Sequence, residues 1–174
     1  PIDIFGNENH LKLLVEAIHK THEIPVTDEI QEFDNYIEAK KLITLACASK
    51  GDLFKEFEDM FNKIDQVYEF VKAEREKYGI ELVVSHHDIY YPNLLPTADG
   101  DFYLIDWELA TYGDLAYELA MHFILMEYND KEKEIFINKL SNNIPINIEN
   151  LKNDINTYTN FEKYRKNVLK EIKK

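Results

Sequence analysis

Residues 80–108 interrupt a sequence whose hydrophobic pattern is otherwise helical. The stretch IELVVSHHD is short and rich in β-branched residues, and NLLPTADGDFYLIDWE has two apolar runs on either side of ADGD, residues 98–101. Two short apolar runs joined by a turn that contains Asp and Gly predict a β-hairpin. We therefore expect a mainly α-helical domain, of α+β type, with one β-hairpin embedded in a helical bundle.

Helical periodicity is present on both sides of this β-region. Leu11, Leu14 and Ile18 share one face of a segment that runs from residue 8 to residue 22, which predicts the first helix. Capping residues and apolar spacing predict the other helices: one capped by Thr27 or Asp28 and running towards residue 48, one over 53–79, one capped by Asp114 and running to Tyr128, and two over 131–141 and 148–172.

The charge of the chain limits its partners. Twenty Lys and Arg stand against 33 Asp and Glu, which gives a formal charge of −13. Such a surface repels phosphate backbones, so we expect no nucleic acid partner, whereas a cationic small molecule or an anion held through metal ions is easily accommodated.

The single cysteine and the lack of a long apolar run favour a reducing compartment away from the membrane. Cys47 has no second cysteine with which to form a disulfide, which fits a reducing compartment, and its apolar neighbours predict a buried thiol. No signal peptide is visible, and no apolar run approaches the roughly 20 residues of a membrane helix. We therefore expect a cytoplasmic protein that does not contact a membrane.

Three polar residues of the β-region carry the candidate chemistry. Asp88 and Asn93 lie five positions apart in a loop that leaves a strand, and Asp106 ends the apolar run FYLI, where a buried carboxylate is costly unless it is paired or bound to a metal. Because a hairpin brings its two ends together, Asn93 can lie near Asp106. One amide oxygen and one carboxylate suit Mg²⁺, and Asp88 can then take a proton from an attacking hydroxyl.

The same residues have the order and spacing of a kinase catalytic loop, H-x-D-x-x-x-x-N followed by a later Asp. Between about residues 80 and 128, the segments SHHDIYYPNLL, LIDWELA and GDLAYELA resemble the aminoglycoside phosphotransferase and choline kinase-like family, the small-molecule relatives of protein kinases. His87 stands where protein kinases have Arg, and only seven residues separate Asp106 from Asp114, which leaves no room for an activation segment.

The resemblance implies a role for each residue of the motif. Asp88 is the expected catalytic residue, and Asn93 and Asp106 are the expected Mg²⁺ ligands. The catalytic loop is expected to be supported by three further residues: His86 through its ring, Asp114 as a helix cap, and Glu118 as a carboxylate beneath the loop, where the family usually has Asp.

For other polar residues a structural and a functional interpretation both stay open. Glu108 would share a face with Asp106 if both lay on a strand, so it either contacts a cationic substrate or a metal-bound water, or is a surface carboxylate. His87 is expected to be partly exposed and without a role. The His86-His87 pair lacks the third ligand of a zinc site, and His19 and His22 are expected to be structural.

The resemblance implies a kinase that uses Mg²⁺ and ATP, or another nucleoside triphosphate, to phosphorylate a hydroxyl of a small and cationic molecule. The stretch GDLAYELAMHF is closer to the aminoglycoside-type branch, because choline and ethanolamine kinases usually have Asn where this chain has Met121. Choline or ethanolamine kinase activity is the alternative. A non-catalytic kinase-like binding module and a structural helical scaffold are also left open.

The resemblance covers only the C-terminal lobe of such a kinase. Before residue 80 there is no pattern for the sheet, phosphate-binding loop and Lys of a nucleotide lobe, and the chain has five Gly and begins with Pro1. We therefore expect residues 1–174 to form a single domain, the substrate-binding and catalytic lobe. The nucleotide lobe would be absent from this chain but needed in cis, so these residues alone should turn over little or no ATP.

Overall fold

The computed structural model describes residues 2–27, 83–144 and 147–172, with isolated positions between the first two ranges (41, 44, 62, 65, 66, 69, 73 and 77). The helices predicted between residues 27 and 79, and Cys47, lie outside the described residues. The chain divides into two compact units, Pro1–Glu32 with Leu82–Ile155, and Phe33–Glu81 with Asn156–Lys174. All candidate site residues belong to the first unit.

Helix α1 spans Glu8–His22, as predicted. Asn7 caps its N-terminus: the Asn7 side chain accepts a hydrogen bond from the Asn9 amide at 3.0 Å and so satisfies one of the free N–H groups of the first turn. Leu14 and Ile18 are fully buried on one face, because apolar residues three and four positions apart lie on the same side of a helix.

Three helices follow the β-region: α2 (Leu115–Leu125), α3 (Asp130–Ser141) and α4 (Ile148–Ile172). Asp114 caps α2 as predicted, since its carboxylate accepts a hydrogen bond from the Ala116 amide at 2.8 Å. Helix α2 ends three residues before the predicted Tyr128 because Glu127 has a φ of 56°, a left-handed conformation that a right-handed helix cannot include.

The predicted hairpin is formed by β2 (Leu94–Pro96) and β3 (Phe102–Leu104), which pair in antiparallel register with Leu94 opposite Leu104. The turn is closed by a hydrogen bond from the Thr97 amide to the Asp101 carbonyl at 2.9 Å. Gly100 has a φ of 92°, which explains why glycine stands in this turn.

A second antiparallel pair joins β1 (Val83–Ser85) to β4 (Thr111–Gly113). Strand β1 was predicted, but β4 was not, because three residues are too few to show an alternating pattern. This pairing holds the chain just before the catalytic loop against the chain just after Asp106.

The core of the first unit is apolar and lies where α1 packs against β1 and α3. Its fully buried side chains include Ile4, Leu14, Ile18, Leu119 and Phe136. The described chain is thus mainly helical with small antiparallel sheets, which confirms the predicted fold class. Among the described residues, no helix is both long and apolar enough to cross a membrane.

Candidate active site

The loop between β1 and β2 brings Asp88 and Asn93 into direct contact. The Asn93 side-chain nitrogen donates hydrogen bonds to the Asp88 carbonyl and to its carboxylate Oδ2, both at 2.8 Å. Because both partners are acceptors, the nitrogen of the amide must face Asp88, and the amide oxygen is turned away from it. Tyr91–Asn93 form a single 3₁₀ turn that places Asn93 at the start of β2.

The hairpin places Asp106 at the same end as Asn93. The Ile105 amide donates a hydrogen bond to the Asn93 carbonyl at 3.0 Å, so the pairing extends one residue beyond β3 and ends immediately before Asp106. Asp106 is exposed, so the expectation that its carboxylate is buried was wrong. The special feature of Asp106 is its backbone, with a φ of 67° in the left-handed region, a conformation that clusters at functional sites.

The buried ring of His86 connects these two parts of the site. Its Nε2 lies 3.0 Å from the Ile105 carbonyl, and its Nδ1 lies 3.3 Å from the Asp88 amide nitrogen. A carbonyl can only accept, so Nε2 carries the hydrogen and Nδ1 accepts from Asp88. His86 therefore ties the backbone of the catalytic loop to the residue that precedes Asp106.

Glu118 on α2 lies beneath the loop and is 1% exposed. Its Oε1 accepts hydrogen bonds from the amides of His86 at 2.6 Å and His87 at 3.4 Å, and its Oε2 lies 2.7 Å from His22 Nε2. Burial raises the pKa of Glu118, but the hydrogen bond and charge of His22, with His87 and the His86 amide, outweigh burial and hold the pKa below its usual value. The carboxylate is thus kept ionised.

His22 is a residue whose contact the sequence did not reveal. It ends α1, and its side chain is 6% exposed where it meets Glu118. The spacing of His19 and His22 suggested only that the two side chains could bind one metal ion. No pattern in the sequence links residue 22 to residue 118. The contact exists because α1 and α2 both pack against β1.

The expected exposure of His87 was wrong, and Glu108 does not meet the condition on which a shared face with Asp106 depended. His87 is 8% exposed rather than partly exposed, its φ is 64°, and burial lowers its pKa. Glu108 does not lie on a strand, because β3 ends at Leu104 and a hydrogen bond from the Ala110 amide to the Trp107 carbonyl at 3.0 Å closes a turn around it. Glu108 is exposed, but the shared strand face with Asp106 does not exist.

The donor atoms at the hairpin end fit Mg²⁺ better than zinc. The Asn93 amide oxygen, which is turned away from Asp88, and the exposed Asp106 carboxylate are oxygen donors, and Mg²⁺ commonly takes one or two protein side chains together with phosphate and water. Among the described residues, no three His, Cys, Asp or Glu side chains converge in the way that a closed metal site requires.

A mainly helical unit in which a buried carboxylate holds such a loop and hairpin matches a lobe of the protein-kinase-like fold, the fold of the small-molecule kinases. The family model for choline/ethanolamine kinase matches residues 5–174. The chain therefore belongs to the choline/ethanolamine kinase family. No curated protein is significantly similar to it in sequence.

Solved structures agree with this fold. The choline kinase LicA from Streptococcus pneumoniae superposes with a TM-score of 0.67 at 19% identity, over 98% of this chain and 66% of that one. LicA in complex with AMP gives 0.66 at 20% identity, over 98% and 63%. An ethanolamine kinase from Plasmodium vivax gives 0.70 at 17% identity, over 96% and 53%. The chain thus spans between about half and two thirds of these proteins.

The preference for the aminoglycoside-type branch is not supported, and the choline/ethanolamine alternative agrees better with the family match. That preference depended on Met121, a single position of α2. The catalytic loop and the hairpin do not include this position, and their motifs are the ones that the two branches share.

Proposed function

We propose that the protein is a Mg²⁺- and ATP-dependent kinase that phosphorylates the hydroxyl group of choline or ethanolamine. The observation that carries this proposal is the contact between Asn93 and Asp88 at the end of the hairpin that also carries Asp106. Membership of the choline/ethanolamine kinase family and the similarity to choline and ethanolamine kinases support the choice of acceptor.

Asp88 is the proposed catalytic base. Asn93 holds its Oδ2, which fixes the plane of the carboxylate and leaves Oδ1 to accept the proton of the substrate hydroxyl. Asp88 is neither fully exposed nor fully buried, so a small substrate can reach it. The carboxylate acts mainly by orienting the hydroxyl, because phosphoryl transfer needs positioning and charge neutralisation more than covalent chemistry.

Asn93, through its amide oxygen, and Asp106 are the proposed Mg²⁺ ligands. When bound there, the ion would neutralise the charge of the nucleotide phosphates. The AMP complex of LicA shows that this similar protein binds a nucleotide, which supports nucleotide use by the whole protein here.

The acidic character of the chain supports a cationic acceptor. Its formal charge is −13, and choline and ethanolamine are both cations at neutral pH. The exposed Glu108, two positions after Asp106, is the proposed contact for the substrate cation, because the turn that contains it directly follows the proposed metal ligand.

The test is a comparison of Asp88→Asn with Asp130→Asn in the full-length protein, measured as ADP release with ATP, Mg²⁺ and choline, ethanolamine or kanamycin. Asp130 is exposed at the start of α3, and its side chain forms a surface ion pair with Lys133, so its variant is the matched control. Removal of the base is expected to lower kcat by about 10²–10⁴-fold, with the control unchanged.

Equal turnover by Asp88→Asn and the control would refute the catalytic assignment. Transfer to kanamycin but not to choline or ethanolamine would refute the acceptor. Nucleotide binding without transfer to any acceptor would instead indicate a non-catalytic binding module.

A further inference from the structure

The residue that follows the proposed base makes a buried hydrogen bond with α2. The Ile89 carbonyl lies 2.8 Å from Nδ1 of His122. Ile89 is 2% exposed and His122 is 1% exposed, so water does not compete for this bond. Because a carbonyl only accepts, the Nδ1 of His122 must carry the hydrogen.

The rest of the His122 ring lies in an aromatic cluster. The rings of Phe123, Tyr128 and Phe136 have centroids 5.8, 5.1 and 5.1 Å from its own. Its Nε2 is buried there, and among the described residues it has no hydrogen-bond partner. An apolar side chain at this position would avoid the cost of burying an unsatisfied nitrogen. Among the described residues, the favourable polar contact of the imidazole is its hydrogen bond to the Ile89 carbonyl.

Helix α2 holds the catalytic loop on both sides of Asp88. Glu118 accepts from the amides of His86 and His87, just before it, and His122 donates to the carbonyl of Ile89, just after it. Glu118 and His122 are four residues apart, and therefore lie on the same face of the helix. Asp88 stands between two anchors on a single rigid element.

The remaining polar groups of the Asp88 backbone are also engaged. Its amide donates to the His86 ring, and its carbonyl accepts from Asn93. The Ile89 carbonyl, the next carbonyl along the chain, is held by a side chain from α2, outside the loop and the hairpin.

We propose that His122 is a positioning residue, which holds the carboxylate of Asp88 in its productive direction by fixing the Ile89 carbonyl. This inference depends on the proposed function of Asp88. The ring itself does not touch the substrate, because His122 is 1% exposed and its Nδ1 is engaged by the Ile89 carbonyl. Loss of the bond should therefore reduce kcat while leaving the KM for both substrates nearly constant.

Three variants of the full-length protein test the proposal. His122→Phe keeps the aromatic volume but removes the donor, whereas His122→Asn places an amide N–H close to the position of Nδ1. Tyr128→Phe is the matched control, because Tyr128 lies in the same cluster and its hydroxyl has no described partner. His122→Gln, whose longer amide does not overlay Nδ1, replaces the Phe variant if that variant is insoluble.

Steady-state kinetics are the first measurement. A displacement of about 1 Å can cost a factor of the order of 10² in rate, so the Phe variant should lose at least tenfold in kcat. Its KM values should stay within threefold, and the Asn variant should recover most of the loss. A kcat within twofold of Tyr128→Phe, or an Asn variant no better than the Phe variant, would overturn the positioning role.

Amide hydrogen exchange of the peptide that spans residues 84–91 is the second measurement, and it needs no substrate. The Phe variant should exchange faster there than wild type and the Tyr128→Phe control, while the Asn variant should match wild type. Unchanged exchange in the Phe variant would overturn the proposal. If wild type transfers no phosphate to choline or ethanolamine, the proposed function fails, but the exchange result still decides whether His122 holds the loop.

Discussion

Replacing Glu118 by alanine removes the acceptor of three hydrogen bonds at once. The carboxylate accepts hydrogen bonds from the amides of His86 and His87 and from the Nε2 of His22, at 2.6, 3.4 and 2.7 Å. Glu118 is 1% exposed, so water cannot take its place without entering the core. The alanine variant therefore leaves two loop amides and one imidazole buried without an acceptor.

The expected cost follows from the burial of this group. Each buried donor that loses its acceptor costs about 1–3 kcal/mol, and Glu118 serves three such donors, so we expect a total cost of about 3–5 kcal/mol. For a chain of 174 residues, 1 kcal/mol lowers Tm by roughly 2–4 °C, so Glu118→Ala should lower Tm by roughly 6–20 °C. Glu118→Gln keeps one oxygen for the loop amides but loses the charge and the acceptor for His22 Nε2, which should cost about 1–3 kcal/mol.

Thermal unfolding of the two variants measures these differences, with Glu134→Ala as the control. Glu134 is exposed on α3 and makes one surface contact with Lys152 at 3.5 Å, so its loss should cost less than about 1 kcal/mol. If Glu118→Ala unfolds within 2 °C of Glu134→Ala, Glu118 does not hold the loop. The order wild type, Gln, Ala is the expected result.

Two further predictions concern pH and the proposed metal ligand. Burial lowers the pKa of His122 from its ordinary value of 6.5 to about 4. Between pH 6.5 and pH 4 the ring is therefore neutral in the folded protein but takes up a proton on unfolding. The free energy of unfolding should fall by about 3 kcal/mol as the pH falls through this interval. Urea titrations at pH 7, 5.5 and 4.5 measure this change. The His122→Phe variant should lose much of the pH dependence of the free energy of unfolding. The same pH dependence in wild type and in this variant would contradict the prediction. Asp106→Gly should abolish measurable phosphoryl transfer at any Mg²⁺ concentration, yet keep Tm within about 3 °C of wild type, because glycine accepts the φ of 67° without strain. Retained turnover would show that Asp106 is not a metal ligand.

The parts of the fold that sequence patterns predicted are those with local causes. The apolar spacing of α1, the cap at Asp114 and the glycine of the ADGD turn each act within a few residues of chain. Strand β4 was missed because a three-residue strand is stabilised by its partner β1 rather than by its own composition.

The candidate site divides in the same way. The spacing of Asp88 and Asn93 placed them in one loop, and hairpin geometry placed Asp106 beside them. The expected burial of Asp106 and the expected exposure of His87 were both wrong, because burial depends on which elements pack against a loop. No spacing rule connects residue 22 with residue 118, or residue 89 with residue 122.

The sequence by itself determined which groups this protein has available: an acid, an amide and a second acid in the order that a kinase loop requires, on a hairpin within a helical chain. Only the tertiary structure decided how those groups are held. Helix α2 presents Glu118 and His122 to the loop, and α1 presents His22 to Glu118. The physical reason is that a buried polar group needs a partner, and in a folded chain that partner comes from whichever element lies next to it in space.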